Sequence, residues 1–181
     1  MRKTVGLLCA AALMLPVGVI TAGAAGGAAA TPTCKVFTGT ATFKPPLPPL
    51  GDSHKVKSTV TVTGKQSTCT GGGVTSGTVT GKSVPSSTGS NCTTLATSNT
   101  GTKFTITTKW NTGKTSTASI LSKKAGSDPT VQNVTGTITA GLFKGKKLAT
   151  TVKYTLPKGA CSAGHPLAKI TLKNTKPLTI K

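Results

Sequence analysis

The chain has 181 residues, of which 22 are Lys or Arg and two are Asp or Glu, so its formal net charge is +20. A surface this basic is expected to attract polyanions, and the alternative is that its lysines keep an extracellular β-protein soluble and protect its sheet edges. Apart from Arg2 every basic side chain is Lys, and only six residues are aromatic. Because base recognition favours Arg and single-strand binding favours exposed aromatic rings, we expect no specific nucleic-acid recognition.

Residues 1–30 have the pattern of a cleavable signal peptide. Two basic residues precede an apolar run over residues 5–20, and small residues follow it. Ala28-Ala29-Ala30 fits the cleavage pattern, and Ala22-Gly23-Ala24 is an earlier alternative. The apolar run is shorter than the roughly 20 residues of a spanning helix, so we expect no transmembrane anchor in the mature chain.

The four cysteines that follow the leader predict two disulfide bonds. Cys34, Cys69, Cys92 and Cys161 are an even set in a chain expected to be exported. Four cysteines allow three pairings. We favour Cys69–Cys92, across a local hairpin, and Cys34–Cys161, between the first strand and a late loop. Since the chain has no CxxC motif and no Cys/His cluster, we expect no zinc site, no other metal and no cofactor.

Alternation of apolar and polar residues predicts that residues 31–181 form one secreted, all-β domain. The clearest strands are expected over residues 55–65, 103–110, 147–156 and 168–173, and weaker ones over 34–43, 74–84, 114–121 and 131–142. No helical period follows the leader. Asn111-Thr112-Gly113 is expected to form a hairpin turn, and the proline-rich residues 45–49 a stiff crossover after the first strand. Eight or nine short strands indicate an antiparallel, Ig-like β-sandwich or a closed barrel.

Few residues could perform acid–base chemistry. The only acids are Asp52 and Asp128, and the only imidazoles are His54 and His165. Gly51-Asp52-Ser53-His54 resembles the start of the GDS-type esterase motif. That family also has an Asp-x-x-His pair late in the chain, and here His165 follows Ser-Ala-Gly. We therefore expect no enzyme, and a secreted hydrolase is the least favoured alternative.

The composition predicts a non-enzymatic protein that binds or supports the cell envelope through a cationic, Lys- and Thr-rich surface. It would be secreted, extracellular or loosely associated with the cell wall, and its partner would be an anionic wall polymer or another polyanion. The candidate contacts are Lys55, Lys57, Lys65, Lys103, Lys109, Lys144, Lys146 and Lys147. The alternative is a small-ligand carrier or inhibitor-type β-sandwich, with Trp110 or His165 as ligand contacts, and this alternative predicts a preformed apolar pocket.

Three stretches resemble uncharacterised small secreted proteins of high-GC Gram-positive, actinobacterial type. They are Cys34-Lys35-Val36-Phe37-Thr38-Gly39-Thr40-Ala41-Thr42-Phe43-Lys44-Pro45-Pro46-Leu47, Lys109-Trp110-Asn111-Thr112-Gly113-Lys114-Thr115-Ser116 and Gly136-Thr137-Ile138-Thr139-Ala140-Gly141-Leu142-Phe143. The resemblance implies a secreted β domain and assigns no functional residues. In composition the chain is also similar to antibiotic-carrier apoproteins of the neocarzinostatin type, although their cysteines are closely paired in sequence and these are not.

Overall fold

The structure, a computed structural model, describes residues 30–181. Apart from Ala30, the predicted signal peptide lies outside the described residues. The described chain is all-β, with eight antiparallel strands in chain order and β8 paired with β1, so the sheet is a closed barrel and not a sandwich. The strands are β1 (Thr33–Leu47), β2 (Thr59–Thr70), β3 (Gly77–Ser83), β4 (Thr102–Trp110), β5 (Thr115–Lys124), β6 (Val131–Gly141), β7 (Lys147–Thr155) and β8 (Leu167–Ile180).

The two ends of the barrel differ in the length of their connections. At one end, here called the long-loop end, lie residues 48–58, 84–101, 125–130 and 156–166. At the other, the short-turn end, lie residues 71–76, 111–114 and 142–146. The predicted turn at residues 111–113 is confirmed at the short-turn end, where Gly113 has φ +79° and its N–H donates to the carbonyl of Trp110.

Period-2 alternation places side chains on the two faces of the barrel wall as expected. Outward positions carry Thr and Lys in continuous rows across the paired strands. One such row contains Thr40, Thr63, Thr80, Thr107 and Thr117, each facing the next across a strand pair of β1–β5. Inward positions carry the apolar residues, so the barrel interior is the core of the domain.

The proline-rich segment does not begin as a crossover, because β1 continues through Pro45 and Pro46 to Leu47. The last β1–β2 pair joins Lys44 to Thr59, so the prolines lie beyond the β2 ladder. On the other side a register shift separates the pair Thr42–Lys169 from the pair Leu47–Leu167. A bulge is a position where a strand tolerates proline, since no ladder hydrogen bond is lost there.

A short helix, α1 (Cys92–Thr97), lies in the β3–β4 connection, where no helix was predicted. Asn91 caps it: its side-chain oxygen accepts from the N–H of Thr94, and its own N–H donates to the Thr94 hydroxyl. The Asn91 amide also donates to the carbonyls of Asp52 and His54. These bonds attach the helix to the β1–β2 loop at the long-loop end.

The disulfide pairing favoured from the sequence is wrong. The structure joins Cys34 to Cys69 and Cys92 to Cys161. Cys34 and Cys69 face each other across β1 and β2 near the short-turn end, with their Cα atoms 3.9 Å apart. Cys92 and Cys161 lie at the long-loop end, where their bridge joins α1 to the β7–β8 loop. Each pairing favoured from the sequence would have joined opposite ends of the barrel.

Candidate ligand-binding cavity

The barrel encloses a cavity of about 560 Å³. Its walls are mainly apolar, and each strand contributes inward side chains. Representative wall residues are Phe43, Val60, Val79, Phe104, Ile106, Ile120, Val134, Val152 and Leu172. Ligand sites in proteins are typically apolar cavities of about 300–1,000 Å³, so this cavity has the size and lining of a site for one small molecule.

The cavity exists because many inward positions carry small residues. An eight-stranded barrel is just wide enough for large side chains to fill it or for one small ligand to fit. Here Gly64 faces inward beneath the Phe37 ring, and a Cβ at Gly64 would lie 2.6 Å from Cε2 of that ring. A Cβ at Gly81 would collide with Cδ1 of Ile106. The Phe37 and Ile106 side chains therefore lie flat along the barrel wall, over the glycines of the neighbouring strands, and leave the centre of the barrel unfilled.

Trp110 closes the cavity near the short-turn end. It is 3% exposed, and its ring meets the Phe143 ring edge to face at a centroid distance of 5.8 Å. Its indole Nε1 donates to the Ser116 hydroxyl at 2.8 Å, and that hydroxyl donates to the Leu142 carbonyl. Trp110, a ligand contact predicted from the sequence, lies in the cavity lining.

The cavity reaches the surface at the long-loop end. Its lining there includes residues 84–90, which follow β3, and residues 100–103, where β4 begins. Val84 is 63% exposed, so an apolar side chain stands open to solvent at this rim. Lys55 and Lys103, both candidate polyanion contacts, also line this rim. A ligand entering the barrel would pass an apolar edge that carries two positive charges.

Tyr154 is the chain's only tyrosine, and it lines the cavity at 5% exposure. Burial, with a smaller contribution from the negative charge of Asp128, raises the pKa of its phenol above the ordinary value. The Tyr154 phenol therefore stays protonated throughout the neutral range. It offers a neutral polar group at the edge of an apolar wall.

His165 lies outside the cavity, in the β7–β8 loop, where its side chain is exposed. Its Nδ1 lies 2.9 Å from the carbonyl oxygen of Ala163 and 3.3 Å from the Ser162 hydroxyl. His54 and Asp52 are exposed in the β1–β2 loop, where an Asp52 carboxylate oxygen accepts from the His54 N–H. These contacts are those of ordinary turns, and none of the three residues lines the cavity.

The eight candidate lysines are all exposed, but they do not form one patch. Lys55, Lys57 and Lys103 belong to the long-loop end. Four others, which are Lys109, Lys144, Lys146 and Lys147, lie at the short-turn end, and Lys65 lies between the ends on β2. Over residues 30–181 the structure shows one ion pair, Lys153–Asp128 at 3.4 Å. The positive charge is therefore spread over the whole barrel surface.

Asp128 is held by its neighbours in the β5–β6 loop. Its carboxylate accepts from the hydroxyl and the backbone N–H of Thr130, which lower its pKa, and the Lys153 ammonium lowers it further. In the part of the chain that the structure covers, no three His, Cys, Asp or Glu side chains group as metal ligands would. None of the helices described has the length and apolar character needed to cross a membrane.

Apart from Trp110, Lys55 and Lys103, the residues of the cavity wall were not among the site residues predicted from the sequence. They were predicted as strand positions of a core, and the alternation that revealed them is the same for a filled interior as for an open one. Gln66 could have indicated a ligand site, because it is a polar residue at an inward position of β2, where the neighbouring inward positions are apolar.

The chain was compared with protein-family models, with curated proteins and with solved structures. No family model, curated protein or solved structure matches it. The two disulfides are those of a protein that matures in an oxidising compartment, and the apolar cavity inside the barrel has the form of a ligand site.

Proposed function

We propose that this protein is a secreted, non-enzymatic carrier that binds one small, largely apolar ligand inside its barrel. The observation that carries the proposal is the cavity of about 560 Å³, lined by apolar side chains and open at the long-loop end. A small-ligand carrier, the alternative function predicted from the sequence, requires such a preformed apolar pocket. The signal-peptide pattern and the two disulfides support export to an extracellular or envelope location.

The charge at the rim selects among apolar ligands. Lys55 and Lys103 line the opening, while both acids of the chain, Asp52 and Asp128, lie outside the cavity lining. A ligand with an apolar body and an anionic group would place its body against the wall and its charge beside the two ammonium groups. We therefore propose an amphipathic anion of fatty-acid type as the ligand class.

Fluorescence titration tests this proposal. N-phenyl-1-naphthylamine, whose emission rises in apolar surroundings, serves as the reporter, and decanoate and decyltrimethylammonium serve as competitors with opposite charges. We expect saturable binding of one reporter per chain, displacement by decanoate and much weaker displacement by the cation. The chain's only tryptophan, Trp110, lines the closed end of the same cavity, and its fluorescence gives a second signal of binding.

A matched pair of variants tests the part played by the rim. In Lys55→Gln/Lys103→Gln the two charges at the opening are removed, and in Lys144→Gln/Lys146→Gln the same charge is removed at the opposite end. Exposed charge contacts are worth about 0.2–1 kcal/mol each, so we expect the first variant, which loses two of them, to lose about two- to thirtyfold in decanoate affinity. Equal losses in both variants would show a general charge effect, and no binding by the native protein would exclude the carrier.

A second candidate function is the contact with anionic polymers that the composition predicts. Its support is the exposure of the lysines on all sides of the barrel, with outward rows such as Lys65, Thr78 and Lys109 across β2, β3 and β4. Its test is retention on a heparin matrix against salt. Elution later than an unrelated protein of similar net charge supports this function, and elution at the same salt concentration counts against it.

A further inference from the structure

One polar side chain in the cavity wall has an unpaired hydrogen-bonding atom. Gln66 lies at an inward position of β2 and is 8% exposed. Its amide oxygen is buried and has no hydrogen-bond partner among the residues that the structure describes. Buried polar groups of native proteins are almost always paired, so an unpaired one needs an explanation.

The position of Gln66 places this amide deep in the barrel. Across the sheet its row runs from Phe37 on β1 through Gln66 to Gly77 on β3 and Trp110 on β4. Trp110 ends β4 at the short-turn end, and Gln66 lies in the half of β2 that is nearer to the same end. Gly77 brings no side chain of its own, so the row carries one amide between two aromatic residues.

The neighbouring polar groups do not compete for this amide. The Trp110 Nε1 donates to the Ser116 hydroxyl, and that hydroxyl donates to the carbonyl of Leu142. Gln132, the other glutamine of the lining, lies where β6 begins, and its Nε2 donates to the carbonyl of Pro129 at 3.2 Å. The Gln66 oxygen is thus a buried acceptor to which these neighbouring groups donate no hydrogen bond.

We propose that the Gln66 amide oxygen accepts a hydrogen bond from a hydroxyl or N–H group at the inner end of the bound ligand. This inference rests on the proposed carrier function and specifies its ligand further. The ligand has three parts: a neutral donor that enters first, an apolar middle that lies against the barrel wall, and an anionic end at Lys55 and Lys103. An ω-hydroxylated fatty-acid-type molecule has this chemistry.

Such a site distinguishes ligands by whether they carry a hydrogen-bond donor at their inner end, and not only by their size. A site built to hydrogen-bond a ligand hydroxyl rejects the analogue without it, because the buried protein group is then left unpaired. A hydroxyl group buried against a purely apolar wall has the opposite effect and weakens binding. The sign of the selectivity therefore reports whether Gln66 makes this bond.

The test is competition against N-phenyl-1-naphthylamine with 10-hydroxydecanoate and 10-methoxydecanoate, which share the carboxylate and differ in the donor. We expect the native protein to prefer the hydroxy compound by about tenfold, the ratio that one satisfied hydrogen bond provides. In Gln66→Met, which keeps the length of the side chain and removes the amide, the preference should vanish or reverse. Gln132→Met makes the same change at the outer glutamine and should keep the native preference.

Folding is checked independently of binding. Because Gln66→Met removes an unpaired buried acceptor, the ligand-free variant should melt no lower than the native protein. Gln66→Leu is the second variant, and it should show the same loss of preference. If the native protein binds decanoate but does not prefer the hydroxy compound, or if both Gln66 variants retain that preference, the inference is overturned and the carrier function stands. If no competitor displaces the reporter from native protein, the carrier function itself fails.

Discussion

Enlarging a side chain of the cavity wall tests whether the barrel interior is open or closely packed. Val134 on β6 lines the cavity and is only half-buried, so part of its side chain borders open space. Val134→Phe should therefore bury additional apolar surface without displacing other side chains. Thr135→Phe, the next residue on the same strand, is the control, because Thr135 points outward and is exposed.

The sign of the stability change decides between the two states of the interior. Val134→Phe adds four carbon atoms to a partly open site, and at about 0.8 kcal/mol for each fully buried methylene we expect a gain of about 1–2 kcal/mol. In a closely packed core the same enlargement would cost about 1–3 kcal/mol. For a domain of this size, 1 kcal/mol shifts the melting temperature by about 2–4 °C, so calorimetry resolves the difference.

Binding provides the second half of the prediction. Ser122 faces Val134 across β5 and β6 and also lines the cavity, so Ser122→Phe/Val134→Phe places two phenyl rings side by side near the opening. We expect at least a tenfold loss of reporter affinity, while Leu121→Phe/Thr135→Phe, the adjacent outward pair, should bind as the native protein does. A lower melting temperature in Val134→Phe, together with unchanged binding in the inward double variant, would refute an open, ligand-binding interior.

Three further predictions concern the frame of the barrel. A non-reducing peptide map should contain Cys34–Cys69 and Cys92–Cys161, and Cys92→Ser/Cys161→Ser should lose about 2–5 kcal/mol of stability; recovery of a Cys69–Cys92 peptide would contradict the fold. Gly136→Ala should lose more than about 2 kcal/mol of folding stability, because its new Cβ would collide with the Ser119 carbonyl oxygen. The control is Ala149→Gly on the exposed face of β7, which should lose less stability. Thermal melting of the two variants compares these losses. Folding raises the pKa of the Tyr154 phenol, so the contribution of this group to stability is complete below the unfolded pKa near 10 and is lost as the pH rises through the folded pKa. In an absorbance titration the phenol should therefore ionise at higher pH in the folded protein than in the urea-unfolded protein. Ionisation at the same pH in both states would contradict the burial of Tyr154.

The strands and their faces could be predicted because alternation reports burial on one side of a sheet. Val62, Ile106 and Val152 occupy apolar positions of this alternation, and all three line the barrel interior. Closure could not be predicted, since it depends on β8 pairing with β1 and each strand reads the same in a sandwich. The sequence alternatives therefore correctly included the barrel without selecting it.

The errors have identifiable physical causes. The disulfide pairing was judged by distance along the chain, whereas Cys69 ends β2 at one end of the barrel and Cys92 begins α1 at the other. The six residues of α1 are too few to show a helical period, although Asn91 and Thr94 carry a capping-box spacing that could have indicated its start. The prolines of β1 were judged by their missing donors, and the bulge that accommodates them is a property of the paired strand.

The cavity itself lay beyond sequence reasoning for a different reason. Gly64, Gly81 and Ala118 are visible as small inward residues, but whether their space is filled depends on which neighbours lean over them. Phe37 and Ile106 lie along the wall, and the volume left at the centre results from the arrangement of all eight strands. The positive charge of the surface could be predicted from the sequence, but the position of Lys55 and Lys103 at the cavity opening could not.

The most direct test of the carrier is a methyl NMR titration of the native protein with decanoate. We expect saturable shifts at inward methyl groups such as those of Val62, Ile106 and Val134, reaching completion at one ligand per chain. The exposed methyl groups of Val36 and Leu156, outside the cavity, should not shift. Shifts confined to outward residues, or none that saturate, would contradict a ligand site inside the barrel.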